Sequence, residues 1–133
     1  MKVAIVSPYD ISKTGGVTNH VINLAKELTY QGNTVSIIAP SSNKLFRIKN
    51  INFLNAGNPT IVNFGSTKAS ISVNFISIIK VRNFIKKNSF DLMHIHEPLV
   101  PFVALFSNPT KYFLSSDLLI PTKREVVLSL NRS

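Results

Sequence analysis

Apolar residues along this chain fall into short runs separated by polar, turn-forming stretches. Residues 2–7, Lys-Val-Ala-Ile-Val-Ser, form an apolar run that Pro8 ends, as expected of a strand buried on both faces. A loop from Pro8 to Gly16 follows. Val17, Val21, Leu24, Ala25 and Leu28 then recur at helical spacing and predict one apolar helix face. Gln31, Gly32 and Asn33 end that helix, and Gly32 is suited to the left-handed stop conformation. Residues 34–39 are a second β-rich run, closed by Pro40, Ser41, Ser42 and Asn43. Strand, helix and strand in this order make a βαβ unit, whose crossover is right-handed and whose strands are parallel.

The middle of the chain is patterned less sharply. Residues 51–54 and 60–64 read as short strands, and Gly65, Ser66 and Thr67 as a turn. A second helix is predicted from Val73 or Asn74 to Asn88 or Ser89, with Ile78, Val81, Phe84 and Ile85 on one arc. Residues 90–95 form a third buried run, followed by His96, Glu97 and Pro98, and residues 99–106 read as the start of a further helix. From Asn108 onward Pro109 and Pro121 interrupt the pattern, and the last apolar run is compatible with a short strand.

Composition narrows the class. The chain has 133 residues, enough for one domain, and its 44% hydrophobic and 16% charged content argues against disorder. It has no cysteine, so disulfides, thiolate zinc sites and a cysteine nucleophile are excluded, and a reducing compartment is allowed. The start of the chain has neither the pattern of a signal sequence nor that of an anchor, and no run reaches the ~18 apolar residues of a spanning helix. A net charge of +9 favours polyanionic partners: nucleic acid, an acidic membrane surface or a phosphorylated ligand.

Three groups of residues could carry chemistry. Gly15 and Gly16 precede the first helix, where free N–H groups and the helix dipole attract phosphate and glycines permit close approach. A plain βα turn needing positive φ explains the same pair. The pattern is neither GxGxxG nor a P-loop, which disfavours dinucleotide and Walker-type sites. The second group is His94, His96 and Glu97. Alternation puts both histidines on one strand face, at the carboxyl end where open α/β sheets bind ligands. Histidines hydrogen-bonded under a loop are the structural alternative. A metal site is disfavoured, since only His20 remains as another imidazole. The third group is the second helix, which opposes its core arc with Lys80, Arg82, Lys86 and Lys87 mixed with Phe75, Ile76 and Ile79. Basic and apolar groups together suit an anionic membrane interface, although a solvated face covered by a neighbouring loop would show the same mix. Nucleic-acid binding is disfavoured because no helix-turn-helix, zinc-finger or RNP pattern is present.

The stretch from Met1 to Asp10, then Gly15, Gly16 and Val17, then Val21, Leu24, Ala25, Leu28, Gly32, Asn33, Val35, Ala39 and Pro40, resembles the N-terminal domain of retaining GT-B glycosyltransferases. The similar branch is family 4-like, of the phosphatidylinositol mannosyltransferase type. Gly65, Ser66 and Thr67, and residues 90–99 from Phe90 to Leu99, fall at that branch's relative places. The resemblance covers residues 1–106 and leaves 107–133 as an unmatched tail.

The resemblance implies an α/β, Rossmann-like parallel sheet flanked by helices, the acceptor-side half of a two-domain enzyme. It implies a nucleotide-sugar donor, a GDP- or UDP-sugar, and no tightly bound cofactor. A lipid-linked or polyol acceptor would receive the sugar with retention. Gly15 and Gly16 match a donor-diphosphate loop. Tyr9, Asp10, Gly65, Ser66, Thr67 and Lys68 match acceptor-side loops. His94, His96 and Glu97 match the cleft mouth, while Lys80, Arg82, Lys86 and Lys87 match a membrane-binding helix. The implied location is cytoplasmic, peripheral on the inner face of the membrane.

Departures accompany the match. The last histidine is His96, so the family's later Phe-His motif has no counterpart, and no residue here is assigned a catalytic role. Phe64 stands where the branch carries Asn, Asn33 where it carries His, and Lys68 is the nearest basic residue after Gly-Ser-Thr. The donor-side domain has no counterpart either, so the chain alone is expected to be inactive. A frameshifted fragment, a split gene whose second chain supplies the rest, and a genuine small domain each fit the tail. A non-catalytic basic membrane-surface or protein-interaction module is the competing reading.

Overall fold

A computed structural model describes residues 1–64, 67–71, 75–96 and 111–115. Strand β1 (Lys2–Val6) leads through a loop to helix α1 (Gly16–Tyr30) and strand β2 (Thr34–Ala39). Strands β3 (Asn52–Asn55), β4 (Thr60–Phe64) and β5 (Thr67–Ile71) follow, then helix α2 (Phe75–Asn88) and strands β6 (Leu92–His96) and β7 (Lys111–Ser115). Five strands form one sheet in the order β3-β2-β1-β6-β7, and every pair in it is parallel. This is the expected α/β Rossmann-like architecture.

Alternation along β1 explains the layering. Val3 and Ile5 face one side and pack with Val21, Ala25 and Leu28 of α1 and with Val35 and Ile37 of β2. Ala4 and Val6 face the other side and pack with Val81 of α2 and with Met93 and Ile95 of β6. Both faces of the central strands are dry, which is why their sequences are continuous apolar runs. Of the arc predicted on α2, Val81 is fully buried, and Phe84 and Ile85 are partly buried against the same cluster. The burial of Ile78 is outside the described residues.

Helix α1 ends as its sequence predicts. Gly32 adopts φ +88°, its N–H donates to Thr29 O (3.0 Å), and Asn33 N–H donates to Leu28 O (3.1 Å). These two bonds satisfy carbonyls that the helix end would otherwise leave free. The start of β6 is fixed to β1 by Asp91. Its Oδ2 accepts Lys2 N–H (2.7 Å), and its own N–H donates to Lys2 O (2.9 Å).

Two features differ from the sequence-based expectation. Thr67, read as the end of a turn, opens β5 and pairs antiparallel opposite Phe64, with Lys68 opposite Asn63. A β-branched threonine suits a strand, and the pairing partner supplies what the local pattern does not show. β7, in the stretch from Asn108 on, joins the sheet in register with β6, from Leu92 opposite Lys111 to His96 opposite Ser115. It lies past residue 106, the expected end of the family-like part. Gly65, Ser66, Glu97, the helix read at 99–106 and the last apolar run all lie outside the described residues.

Candidate functional site

The strand order places a crevice. From β1 the chain crosses through α1 to β2 on one side, while β6 pairs on the other side of β1. The connections therefore diverge at the carboxyl ends of β1 and β6, the position where open α/β sheets bind ligands. The loop leaving β1 is firmly held there. Ser7 N–H donates to Ile38 O (3.0 Å), Ile11 N–H donates to Pro40 O (3.0 Å), and the Ile11 side chain is buried.

Gly15 and Gly16 begin α1 at this crevice, and both are exposed. Gly15 is the N-cap, with extended backbone (φ −178°, ψ 162°) that any residue can adopt. No side chain caps the helix and no acidic residue lies in its first turn, so its dipole and early N–H groups face outward. A Cβ at Gly16 would meet nothing within 4 Å, and one at Gly15 only Thr18 Oγ1 at 4.0 Å. The fold therefore requires glycine at neither position, and a turn needing positive φ does not explain Gly15.

Asp10 is buried, and its role is to tie loops together. Its Oδ1 accepts Ser12 N–H (3.1 Å), the Ser12 hydroxyl (2.6 Å) and Ser42 N–H (3.1 Å), while Lys13 Nζ lies 3.9 Å from Oδ2. Burial pushes the carboxyl pKa up, but the hydrogen bonds from Ser12 and Ser42 outweigh it and hold the group below its ordinary value. Tyr9, its neighbour, is half-buried, with its N–H on Ser7 Oγ (3.4 Å). Asp10→Ala is expected to cost about 2 kcal/mol, because two part-buried N–H groups and the Ser12 hydroxyl lose a charged acceptor, whereas Asp10→Asn keeps an acceptor oxygen and costs less. Urea unfolding of both variants checks this; equal losses would contradict it. A carboxyl with a lowered folded pKa adds stability above its ordinary value near 3.8, and that stability is lost as pH falls below it.

Across the crevice, His94 and His96 lie on one face of β6, as alternation predicts, with ring centroids 4.5 Å apart. The structure buries both, at 3% and 1% exposure, on the side of the sheet that carries α1. They are packed inside rather than displayed at a cleft mouth. His20 of α1 meets His96 edge to face at 5.5 Å, a partner the sequence reading left out. Its position three residues after Val17, on the inward side of α1, was the available signal. Burial first, then the neighbouring His96 and His20, push the His94 pKa down to about 3. Among the described residues no group of three or more histidine and acidic side chains is arranged to hold a metal ion.

On α2, Lys80, Arg82, Lys86 and Lys87 are exposed and Ile79 is 48% exposed. Lys80 differs from the other three, because its Nζ donates to Asn55 O (2.9 Å) at the end of β3. No helix among the described residues is long and apolar enough to cross a membrane. Thr67 and Lys68 sit in the β4–β5 pair, which forms a separate two-stranded sheet.

Comparison with known proteins adds an independent line. Residues 14–112 match the model of Glycosyltransferase Family 4. A phosphatidyl-myo-inositol mannosyltransferase of Propionibacterium freudenreichii is 36% identical over 112 residues, covering 80% of this chain and 29% of the relative. Its namesake in Mycolicibacterium smegmatis is 30% identical over 108 residues, covering 80% of this chain and 27% of that protein. The Mycobacterium tuberculosis protein of the same name is 26% identical over 107 residues, covering 80% and 28%. The chain thus spans less than a third of the length of these curated relatives.

Proposed function

The chain belongs to glycosyltransferase family 4, and from that premise we propose that it is the acceptor-side half of a retaining glycosyltransferase. The reaction moves a sugar from a GDP- or UDP-sugar to a lipid-linked or polyol acceptor. The observation that carries this reading is the start of α1. Two exposed glycines open a helix at the sheet's crevice although the fold needs neither of them. A ligand that must approach the backbone closely supplies the reason, and the uncapped helix end suits the donor diphosphate.

The other residues take parts around that point. Asp10 and Tyr9 hold the acceptor-side loop, with Asp10 acting through Ser12 and Ser42 rather than by direct display. Gly65, Ser66, Thr67 and Lys68 are assigned to the acceptor side by the family match alone. His96 packs against His20 of α1 beneath the surface, with His94 beside it and Glu97 following in sequence, so the two histidines support the site from within. The exposed cations of α2 meet an anionic membrane surface on the cytoplasmic side, which brings a lipid acceptor to the cleft.

Turnover by these 133 residues alone is not expected, because they correspond to under a third of the relatives' length. Diphosphate contact is testable without turnover. GDP or UDP added to the labelled chain should shift the amide resonances at the start of α1. Gly16→Val should abolish those shifts while leaving the urea midpoint nearly unchanged, since a Cβ at this exposed position meets nothing within 4 Å. Amides that stay put in the native chain, or shifts that survive the valine, would remove the phosphate reading.

A further inference from the structure

The connection from β2 to β3 is an irregular crossover anchored at its root and along its length. Ser41 N–H donates to Asn55 Oδ1 (3.2 Å), Asn55 Nδ2 donates back to Ser41 O (3.2 Å), and Ser42 N–H donates to Asp10 Oδ1. Further on, Phe46 and Ile48 pack against the core beside α1, and Phe46 meets Phe53 edge to face at 5.3 Å.

Between these anchors Asn43 builds a tight turn. Its carbonyl accepts Phe46 N–H (3.1 Å) and the Ser41 hydroxyl (2.8 Å), and its side-chain oxygen accepts Leu45 N–H (2.9 Å). Arg47 folds Nη1 onto the Phe46 carbonyl (2.6 Å). The turn is therefore ordered, yet it holds Leu45 outward at 85% exposure. Exposed Lys44, Arg47 and Lys49 surround it.

A single exposed leucine is ordinary on a protein surface. Here it stands on a braced turn among three cations, within a stretch of sequence that carries no carboxylate of its own. Eight of the fifteen basic residues and none of the six acidic ones fall between Glu27 and Asp91. The root of the turn also reaches α2, since Asn55 clasps Ser41 with its side chain and accepts Lys80 Nζ on its carbonyl. Nucleic acid would use the cations but gives an apolar tip no place. A lipid surface with anionic headgroups uses both.

We infer that the turn at residues 43–49 is a lipid-contact site: Leu45 enters the boundary between headgroups and acyl chains of an anionic membrane, and Lys44, Arg47 and Lys49 meet its phosphates. This extends the membrane-surface part of the proposed function, on which it rests for the α2 cations, by a second element.

The chain has no tryptophan, so Leu45→Trp provides a single fluorescent reporter at an exposed position where no packing is lost. The probes are vesicles of phosphatidylcholine mixed with phosphatidylglycerol, and of phosphatidylcholine alone. With the anionic vesicles the emission should move to shorter wavelength and become quenchable by brominated acyl chains; with the zwitterionic vesicles it should not. Reversing Lys44, Arg47 and Lys49 to Glu should weaken binding at least a hundredfold, at about fivefold per cation removed. Leu45→Ser should weaken it about tenfold. A reporter that stays unchanged while the chain still sediments with anionic vesicles overturns the turn and leaves α2 standing. A reporter that responds equally when Lys80, Arg82, Lys86 and Lys87 are all replaced overturns the α2 reading and leaves the turn. A chain that sediments with neither vesicle overturns both, and a reporter that responds to duplex DNA but not to lipid overturns the choice of partner.

Discussion

Acidifying the chain from pH 7 to pH 5 is expected to remove about 2 kcal/mol of folding stability through one side chain, His94. The group is buried on the α1 side of β6, beside His96 and near His20, and its pKa falls from 6.5 to about 3. In the unfolded chain the same imidazole takes a proton near its ordinary value. Between those two values the unfolded state binds more protons than the folded one, so stability rises with pH across the window. It is complete above about 6.5 and declines toward pH 3 at up to about 1.4 kcal/mol per pH unit. Urea unfolding at a series of pH values reads this slope, and His94→Val should flatten it. A variant that keeps the slope would assign it elsewhere. The Asp10 contribution does not blur the result, since its loss begins only below that carboxyl's ordinary value near 3.8.

Ile5→Ala is expected to cost about 3 kcal/mol, against the 5–15 kcal/mol typical of a whole domain. Ile5 lies in the central strand, opposite Ile37 on β2 and His94 on β6, and is fully buried in the cluster shared with α1. Truncating it removes buried apolar surface and leaves a cavity that two flanking strands and a helix prevent from closing. Denaturant titration should show a lower midpoint with an unchanged slope. Leu45→Ala, on the exposed turn, should change stability by less than about 0.5 kcal/mol. A loss under 1 kcal/mol at Ile5 would mean that this layer is loosely packed.

Much of the fold was legible along the chain. The runs at β1, β2 and β6 are continuous and apolar because both sheet faces are covered, and α1 and α2 repeat with the helical period because each buries one stripe. Gly32 marked the end of α1, and its positive φ confirms the reason. β5 and β7 were not legible. Thr67, Lys68, Ala69 and Ser70 show no alternation of their own, and β7 follows closely on Pro109 in an interrupted stretch. Each becomes a strand through a partner's hydrogen bonds, and a local pattern does not carry that information.

The candidate site divides in the same way. Sequence alone put Gly15 and Gly16 at a helix start and His94 and His96 on one strand face, because both statements follow from local periodicity. It also determined the βαβ unit and the excess of positive charge. Only the tertiary structure decided that the two histidines are buried against His20, that the fold itself does not require the glycines, and that Asp10 is spent on Ser42, 32 positions away. It also set Leu45 outward among cations while turning Phe46 inward. Local spacing specifies which residues share a face, whereas what lies across that face depends on how distant segments pack, and burial, pKa and exposure are properties of that packing.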